Sequence, residues 1–177
     1  MKIVVLTGSP RRHGTSTLLA SEFIRGAEEA GHTVFRFDCA FQKVHPCIAC
    51  DKCRTGEEGC VWKDDMEILN PHLLEADAVV LVSPIYYYDW NAQIKTVIDR
   101  FYANSEALRS PKDTALMLTM ADDTMESADG AILSYRNMMG FMNWKDRGVI
   151  AARDCWERAD IEKSQYPALA YELGKNW

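Results

Sequence analysis

Four stretches of this chain are apolar, rich in β-branched residues and free of strict alternation: Ile3 to Thr7, Ala78 to Val82, Thr114 to Met120 and Gly148 to Ala152. A strand with one face in water alternates apolar and polar side chains. Runs of this kind therefore suit strands covered on both faces, as in a parallel sheet. Thr33 to Asp38 differs, because Thr33, Phe35 and Phe37 alternate with Val34, Arg36 and Asp38. That is the pattern of a half-exposed edge strand.

Helical periodicity fills the gaps between these runs. From Thr15 to Ala30, Leu19, Phe23, Ala27 and Ala30 share one face, and Gly31 follows as a stop. Ile94, Val97, Ile98 and Phe101 form an i, i+3, i+4, i+7 stripe from Ala92 to Tyr102. Ile132, Tyr135, Met139 and Met142 do the same from Met125 to Met142. Tyr166 to Leu173 reads as a last helix, with Pro167 in its first turn and Gly174 after its end. Between Asp65 and Ala76 the pattern predicts a helix broken at Pro71, with Asn70 capping the new turn. Strands alternating with helices in this way make an α/β chain with a doubly wound, five-stranded parallel sheet and helices on both faces. At about 150 residues per domain, the 177 residues predict a single domain over 1–177. Its one long irregular connection is a cysteine-rich loop at 40–63.

Composition narrows the function classes. Twenty Lys and Arg against 26 Asp and Glu leave a net charge of −6, which is not the basic footprint of a nucleic-acid partner. No apolar run approaches the roughly 20 residues that cross a membrane. The N-terminus lacks the cleavage site of a secretory leader, and six cysteines are too few for a disulfide scaffold. A cytoplasmic protein with reduced thiols is expected.

Two loops carry ligand chemistry. The first, Thr7 to Thr17, joins the first strand to the first helix. In doubly wound sheets ligands bind at the carboxyl ends of the strands, and a helix N-terminus there offers free N–H groups and a positive dipole end to an anion. Ser9, Thr15, Ser16 and Thr17 add hydroxyls, Arg11 adds a charged fork, and Gly14 lets a ligand approach the backbone. The loop has neither the Gly-Lys-Ser/Thr of a Walker sequence nor the glycine pattern that seats a dinucleotide. The alternative is an ordinary polar turn. The second loop, Ser83-Pro84-Ile85-Tyr86-Tyr87-Tyr88-Asp89-Trp90-Asn91, follows the third strand. Its aromatic side chains suit a planar ligand, or else a plug on the core or an oligomer contact. At the end of the fourth strand, Thr119 is a further candidate.

These residues resemble the NADPH-dependent FMN reductase branch of the flavodoxin-like superfamily. The resemblance rests on Gly8-Ser9-Pro10-Arg11, Gly14 and Ser16 in the first loop. It continues in Pro84-Ile85-Tyr86-Tyr87, with Lys95 to Asp99-Arg100 beyond it. It implies a flavodoxin-like strand order of 2-1-3-4-5. It also implies FMN held at its phosphate by Ser9, Arg11, Gly14, Thr15, Ser16 and Thr17, and at its ring by Ser83, Pro84, Ile85, Tyr86, Tyr87 and Thr119. Lys95, Asp99 and Arg100 are expected to be structural or interfacial. Relatives often carry glycines in the third loop, and this chain has none between Arg109 and Gly130.

Cys47, Cys50, Cys53 and Cys60 are spaced C-x2-C-x2-C-x6-C. The C-x2-C-x2-C part is the spacing that wraps three corners of a [4Fe–4S] cube. Zinc sites favour two separated pairs, and free thiols in a surface loop are the third reading. The residues alone leave the three open. Iron–sulfur flavoproteins, a subset of the resembled family, carry a compact four-cysteine motif at this point. Cys39 and Cys155 read as buried small hydrophobes, and His45 as a hydrogen-bonding loop residue.

The function implied is an FMN-dependent oxidoreductase that passes electrons from NAD(P)H to a small-molecule acceptor such as a quinone, a flavin or iron. No catalytic residue is expected, because hydride chemistry belongs to the cofactor. The alternative is an iron–sulfur flavoprotein that carries electrons without oxidising pyridine nucleotide, and a third is a regulatory domain with an empty site. The resemblance also implies a homodimer or homotetramer.

Overall fold

The computed structural model describes residues 1–56 and 59–177. Its sheet contains β1 (Lys2–Thr7), β2 (Thr33–Asp38), β3 (Ala78–Tyr86), β5 (Asp113–Thr119) and β6 (Lys145–Ala152) in the order β2-β1-β3-β5-β6. All four pairings along that path are parallel. The two-residue β4 (Asp89–Trp90) folds back antiparallel on the end of β3. Apart from that hairpin strand, the five parallel strands follow the expected order 2-1-3-4-5.

Alternate residues of the central strands feed two separate cores. Ile3 and Val5 face one side with Val80, Val82 and Met117, under α1 (Thr15–Glu29) and α8 (Tyr166–Lys175). Val4 and Leu6 face the other side with Leu81 and Leu116, under α3 (Met66–Glu75), α4 (Ala92–Asp99) and α6 (Glu126–Met142). Burial on both faces is the reason these strands do not alternate. The remaining α-helices among the described residues are short: α2 (Lys52–Thr55) in the cysteine loop, α5 (Ser105–Leu108) and α7 (Arg158–Glu162). No helix among the described residues is long and apolar enough to cross a membrane.

Four expectations are corrected. The helix at 65–76 is not broken, since α3 runs through Pro71. Pro71 lies on the exposed side while Met66, Leu69 and Leu73 are buried. Packing of that apolar stripe outweighs one missing backbone hydrogen bond. Ala30 caps α1 and is exposed, so it is outside the apolar stripe. β6 is an edge strand, mostly half-exposed, and starts earlier than its apolar run. A register shift against β5 accommodates the polar residues before Val149.

Gly174, read as a stop, lies inside α8. A Cβ there would sit 2.1 Å from the Phe23 carbonyl oxygen, and one on Gly26 would sit 2.1 Å from that of Tyr171. The two glycines let the backbones of α1 and α8 touch. Phe23 meets Trp177 edge-on beside this contact, with ring centroids 5.2 Å apart. Gly174→Ala is expected to overpack the contact and cost about 1–3 kcal/mol. At about 2–4 °C per kcal/mol for a domain of this size, thermal unfolding will show a clear fall in Tm.

Candidate functional site

The first turn of α1 has no acidic residue, and its N-cap, Gly14, supplies no side-chain hydrogen bond. The leading N–H groups and the positive dipole end are thereby left to whatever faces them. The preceding loop is built to hold that position. Ser9 Oγ accepts from the Arg11 N–H at 3.1 Å, and Thr17 Oγ1 donates to the Arg11 carbonyl at 3.0 Å. Thr15 Oγ1 donates to Thr119 Oγ1 at 3.1 Å, which fastens the start of α1 to the end of β5.

Asn91 joins this loop to the second one. It is 1% exposed. Its Nδ2 donates to the Gly8 carbonyl, its Oδ1 accepts from Ser83 Oγ at 2.9 Å, and its N–H donates to Ser83 Oγ at 3.2 Å. Gly8 must be glycine, because a Cβ there would lie 2.0 Å from Asn91 Oδ1.

The two loops and the ends of β5 and β6 enclose one cavity of about 270 Å³. Of the expected ligand residues, Ser9, Arg11, Gly14, Thr15, Ser16, Pro84, Ile85, Tyr86 and Thr119 line it. Three are placed elsewhere. Thr17 is buried beneath the loop, on the Arg11 carbonyl. Ser83 is fully buried and occupied with Asn91. Tyr87 is 99% exposed at the tip of the β3–β4 hairpin. Tyr87 and Tyr88 have φ of 49° and 67°, which is the backbone of a tight two-residue turn usually filled by Asn or Gly. That turn aims Tyr87 away from the cavity.

Four lining residues were not anticipated: Met120, Ala121, Cys155 and Trp156. The signal for the last two was positional, since they follow the fifth parallel strand on the ligand-binding edge of the sheet. Cys155 is buried as expected. Burial pushes its thiol up to about 11, with Asp160 and Asp154 adding to the rise, so it is a neutral thiol at ordinary pH.

The cysteine loop has a clamped neck. The Lys43 N–H donates to Asp65 Oδ2 at 2.7 Å, and the Asp65 N–H returns to the Lys43 carbonyl at 3.1 Å. Trp62 Nε1 donates to the Pro46 carbonyl at 3.1 Å, and His45 stacks on the Trp62 ring. Beneath them the buried Arg100 donates to Asp64 at 2.7 and 3.2 Å and to the His45 carbonyl at 2.8 Å. Arg100 is therefore structural, while Lys95 and Asp99 form an exposed pair. Beyond the neck, Cys47, Cys50, Cys53 and Cys60 line one small apolar hollow with Trp62 and Tyr102. Burial raises the Cys53 pKa, and the neighbouring thiols of Cys60, Cys47 and Cys50 add to it. Residues 57 and 58 of this loop lie outside the described residues. The two cavities share no lining residue.

The profile of the family described as NADPH-dependent FMN reductase matches residues 1–146. The chain belongs to that family. Among similar curated proteins, an iron-sulfur flavoprotein of Archaeoglobus fulgidus is 38% identical over 100 residues, 56% of this chain and 45% of that one. An iron-sulfur flavoprotein of Methanosarcina thermophila is 33% identical over 103 residues, 56% of this chain and 52% of that one. The chain spans about half the length of the curated relatives it matches. Among solved structures, an NAD(P)H:quinone oxidoreductase from Methanothermobacter marburgensis superposes with a TM-score of 0.76 at 17% identity, over 99% of this chain and 96% of that one. At that identity the likeness shows the shared flavodoxin-like fold.

The first cavity sets the uncapped start of α1 and Arg11 beside the Pro84-Ile85-Tyr86 wall. At about 270 Å³ it sits near the lower end of ligand pockets, which run from about 300 Å³. For the cysteine loop, four convergent thiols are the donor set of an iron–sulfur centre. Among the described residues no group of three or more His, Cys, Asp or Glu is arranged for a single metal ion. A cube spreads its thiolates over separate corners, farther apart than the ligands of one ion. The hollow between the thiols is about 20 Å³, room for one water. The loop therefore matches a cluster in donor type, while the hollow between the thiols is smaller than a cluster.

Burial alone would raise the Asp64 pKa. Hydrogen bonds from Arg100 and from the N–H groups of His45 and Met66 outweigh it and hold the carboxyl at about 2. This folded value lies below the ~3.9 of an unfolded aspartate. Its stabilisation is therefore present above about pH 4 and is lost as pH falls through about 2. Asp64→Asn is expected to cost about 2–3 kcal/mol at neutral pH. Denaturant titrations will show the gap between variant and parent closing across that acid window.

Proposed function

We propose that the chain binds FMN in the cavity at the carboxyl ends of β1, β3, β5 and β6, and uses it to pass electrons from NAD(P)H to a small-molecule acceptor of the quinone or flavin class. The observation that carries this reading is the union, in one cavity, of the uncapped start of α1 with Arg11 and the Pro84-Ile85-Tyr86 wall. Ser9, Arg11, Thr15 and Ser16 and the first N–H groups of α1 hold the phosphate. Pro84, Ile85 and Tyr86 orient the ring, while Thr119, Met120 and Ala121 close the β5 side. Bound FMN supplies hydride acceptance and electron release. The lining needs no acid or base for that, and Cys155 stays protonated. The chain works in the cytoplasm as a homodimer or homotetramer.

Arg11→Ala is expected to weaken FMN binding by about 1.5–3 kcal/mol, the scale of a hydrogen bond to a charged group. Tyr87→Ala, at the exposed hairpin tip, is expected to stay within about 0.5 kcal/mol of the parent. Titration of apo-protein with FMN, followed by flavin fluorescence, measures both. Unchanged affinity in Arg11→Ala would remove the phosphate assignment.

A second reading is favoured by the four thiols on one hollow and by the iron-sulfur flavoproteins among the relatives. In it Cys47, Cys50, Cys53 and Cys60 hold a [4Fe–4S] cluster, and the protein is an electron carrier that does not oxidise pyridine nucleotide. Anaerobic reconstitution with iron and sulfide is expected to give about four irons per chain and fewer in Cys50→Ala. Rapid mixing with NADPH separates the two readings, because prompt bleaching of the flavin belongs to the reductase alone.

A further inference from the structure

We infer that Arg12, lying over the Phe41 ring, receives the 2′-phosphate of NADPH and so selects that nucleotide over NADH. This rests on the proposal that the protein oxidises a pyridine nucleotide at FMN. NADPH and NADH differ in that one phosphate, which sits on the adenosine half, remote from the nicotinamide. The residue that tells them apart therefore belongs outside the cavity that meets the flavin ring.

Arg12 is placed in that way. Its neighbour Arg11 lines the cavity, whereas Arg12 does not. The Arg12 guanidinium carbon is 3.8 Å from the centroid of the exposed Phe41 ring. Arg25 and Arg147 also lie over rings, but each is ion-paired to a carboxylate as well. Arg12 forms no ion pair among the described residues. Arg109, over Phe141, is likewise unpaired, but it precedes β5 and belongs to the opposite end of the sheet. A guanidinium held on a ring face is already oriented and keeps its N–H fork for an anion. That fork matches phosphate oxygens two at a time, and in dinucleotide folds an Arg accommodates this same phosphate.

Charge sets the direction in which the adenosine half lies. No acidic residue precedes Glu22 in the sequence, so Arg11, Arg12 and His13 share their loop with no carboxylate. Asp38, at the end of β2, is taken by Arg36 at 2.8 Å and by the Thr7 hydroxyl. The other side of the cavity has the opposite sign. Asp122 and Asp123 follow β5, Asp154 and Glu157 follow β6, and all four are exposed. The arginines there are engaged, Arg153 on the Asp123 carbonyl and Arg158 on Glu162. A phosphate dianion is repelled from that side and drawn to the β2 side.

The strand order supplies the distance. β1 lies between β2 and β3. Phe41 follows β2 directly, in the turn Cys39–Phe41, and the Pro84-Ile85-Tyr86 wall ends β3. The ends of β2 and β3 are about 10 Å apart, two inter-strand spacings. A dinucleotide whose nicotinamide reaches the ring crosses the end of β1 to bring its far phosphate to Arg12. Arg11 and Arg12 then serve one phosphate each, on different sides of the same loop.

The test follows flavin bleaching by NADPH and by NADH in FMN-loaded parent, Arg12→Lys and Arg12→Ala. The parent is expected to favour NADPH. Arg12→Ala should raise the half-saturating NADPH concentration about tenfold or more, the scale of one charge-assisted contact, with the limiting rate held. The preference for NADPH over NADH should fall by the same factor, and Arg12→Lys should recover part of it. Adenosine 2′,5′-bisphosphate, competing with NADPH, should lose affinity in step. An unchanged preference in Arg12→Ala, or a parent that favours NADH, would overturn the inference and leave flavin reduction in place. Equal losses with both nucleotides, or loss of bound FMN, would overturn it too, by putting Arg12 at the flavin phosphate beside Arg11. A parent whose flavin is bleached by neither nucleotide would overturn the reductase reading itself.

Discussion

The buried amide of Asn91 is the interaction on which the ligand site depends. It touches the first loop through Gly8 and the second through Ser83, and it fixes how far apart the two stand. The amide is out of water, so leaving its polar atoms unpaired would be costly, and the network is made as a unit or not at all. Gly8 has no side chain for the same reason, since any Cβ would occupy the space of the amide oxygen. The first loop and the β3 end of the cavity are therefore pre-set relative to one another before anything binds. Preorganisation of this kind lowers the ordering cost of a ligand that bridges both loops.

The fold was legible because its strands are buried on both faces. Val4 and Val5 point to opposite cores and are both apolar, and no pattern other than a continuous run can satisfy that. Where one face opens to water the reading weakened, as at β6, whose first residues are polar and exposed. Pro71 and Gly174 misled in a different way. Each is a local signal for ending a helix, and each is overridden by packing: Pro71 by the buried stripe beside it, Gly174 by a helix that needs backbone contact there. Residue type alone does not say whether a glycine is wanted for its conformation or for its small size.

The candidate site divides along the same line. Loop chemistry close in sequence to a helix start was readable, which is why Ser9, Arg11, Gly14, Thr15 and Ser16 fall on the cavity. The tyrosine run was readable as a segment but not side chain by side chain. A hairpin turn in the left-handed region sends Tyr86 inward and Tyr87 out, and nothing in three identical letters marks where the turn falls. Cys155 and Trp156 come from the far end of the chain and join the site only through the sheet order. The cysteine loop shows the converse. Its four thiols were visible from spacing, but the clamp at its neck depends on Arg100, contributed from another element about 36 residues beyond Asp64.

The touching backbones of α1 and α8 have a consequence for the order in which the molecule matures. The helix whose start lines the cavity begins at residue 15, and its main helical neighbour begins at residue 166. Synthesis runs from the N-terminus, so β1, the first loop and α1 leave the ribosome long before the surface that seats α1 has been made. Until α8 arrives, one face of α1 stays open to water, and the first loop is held only by local bonds and the strands already formed. The cavity at the start of α1 therefore reaches its final rigidity late, with the completion of folding.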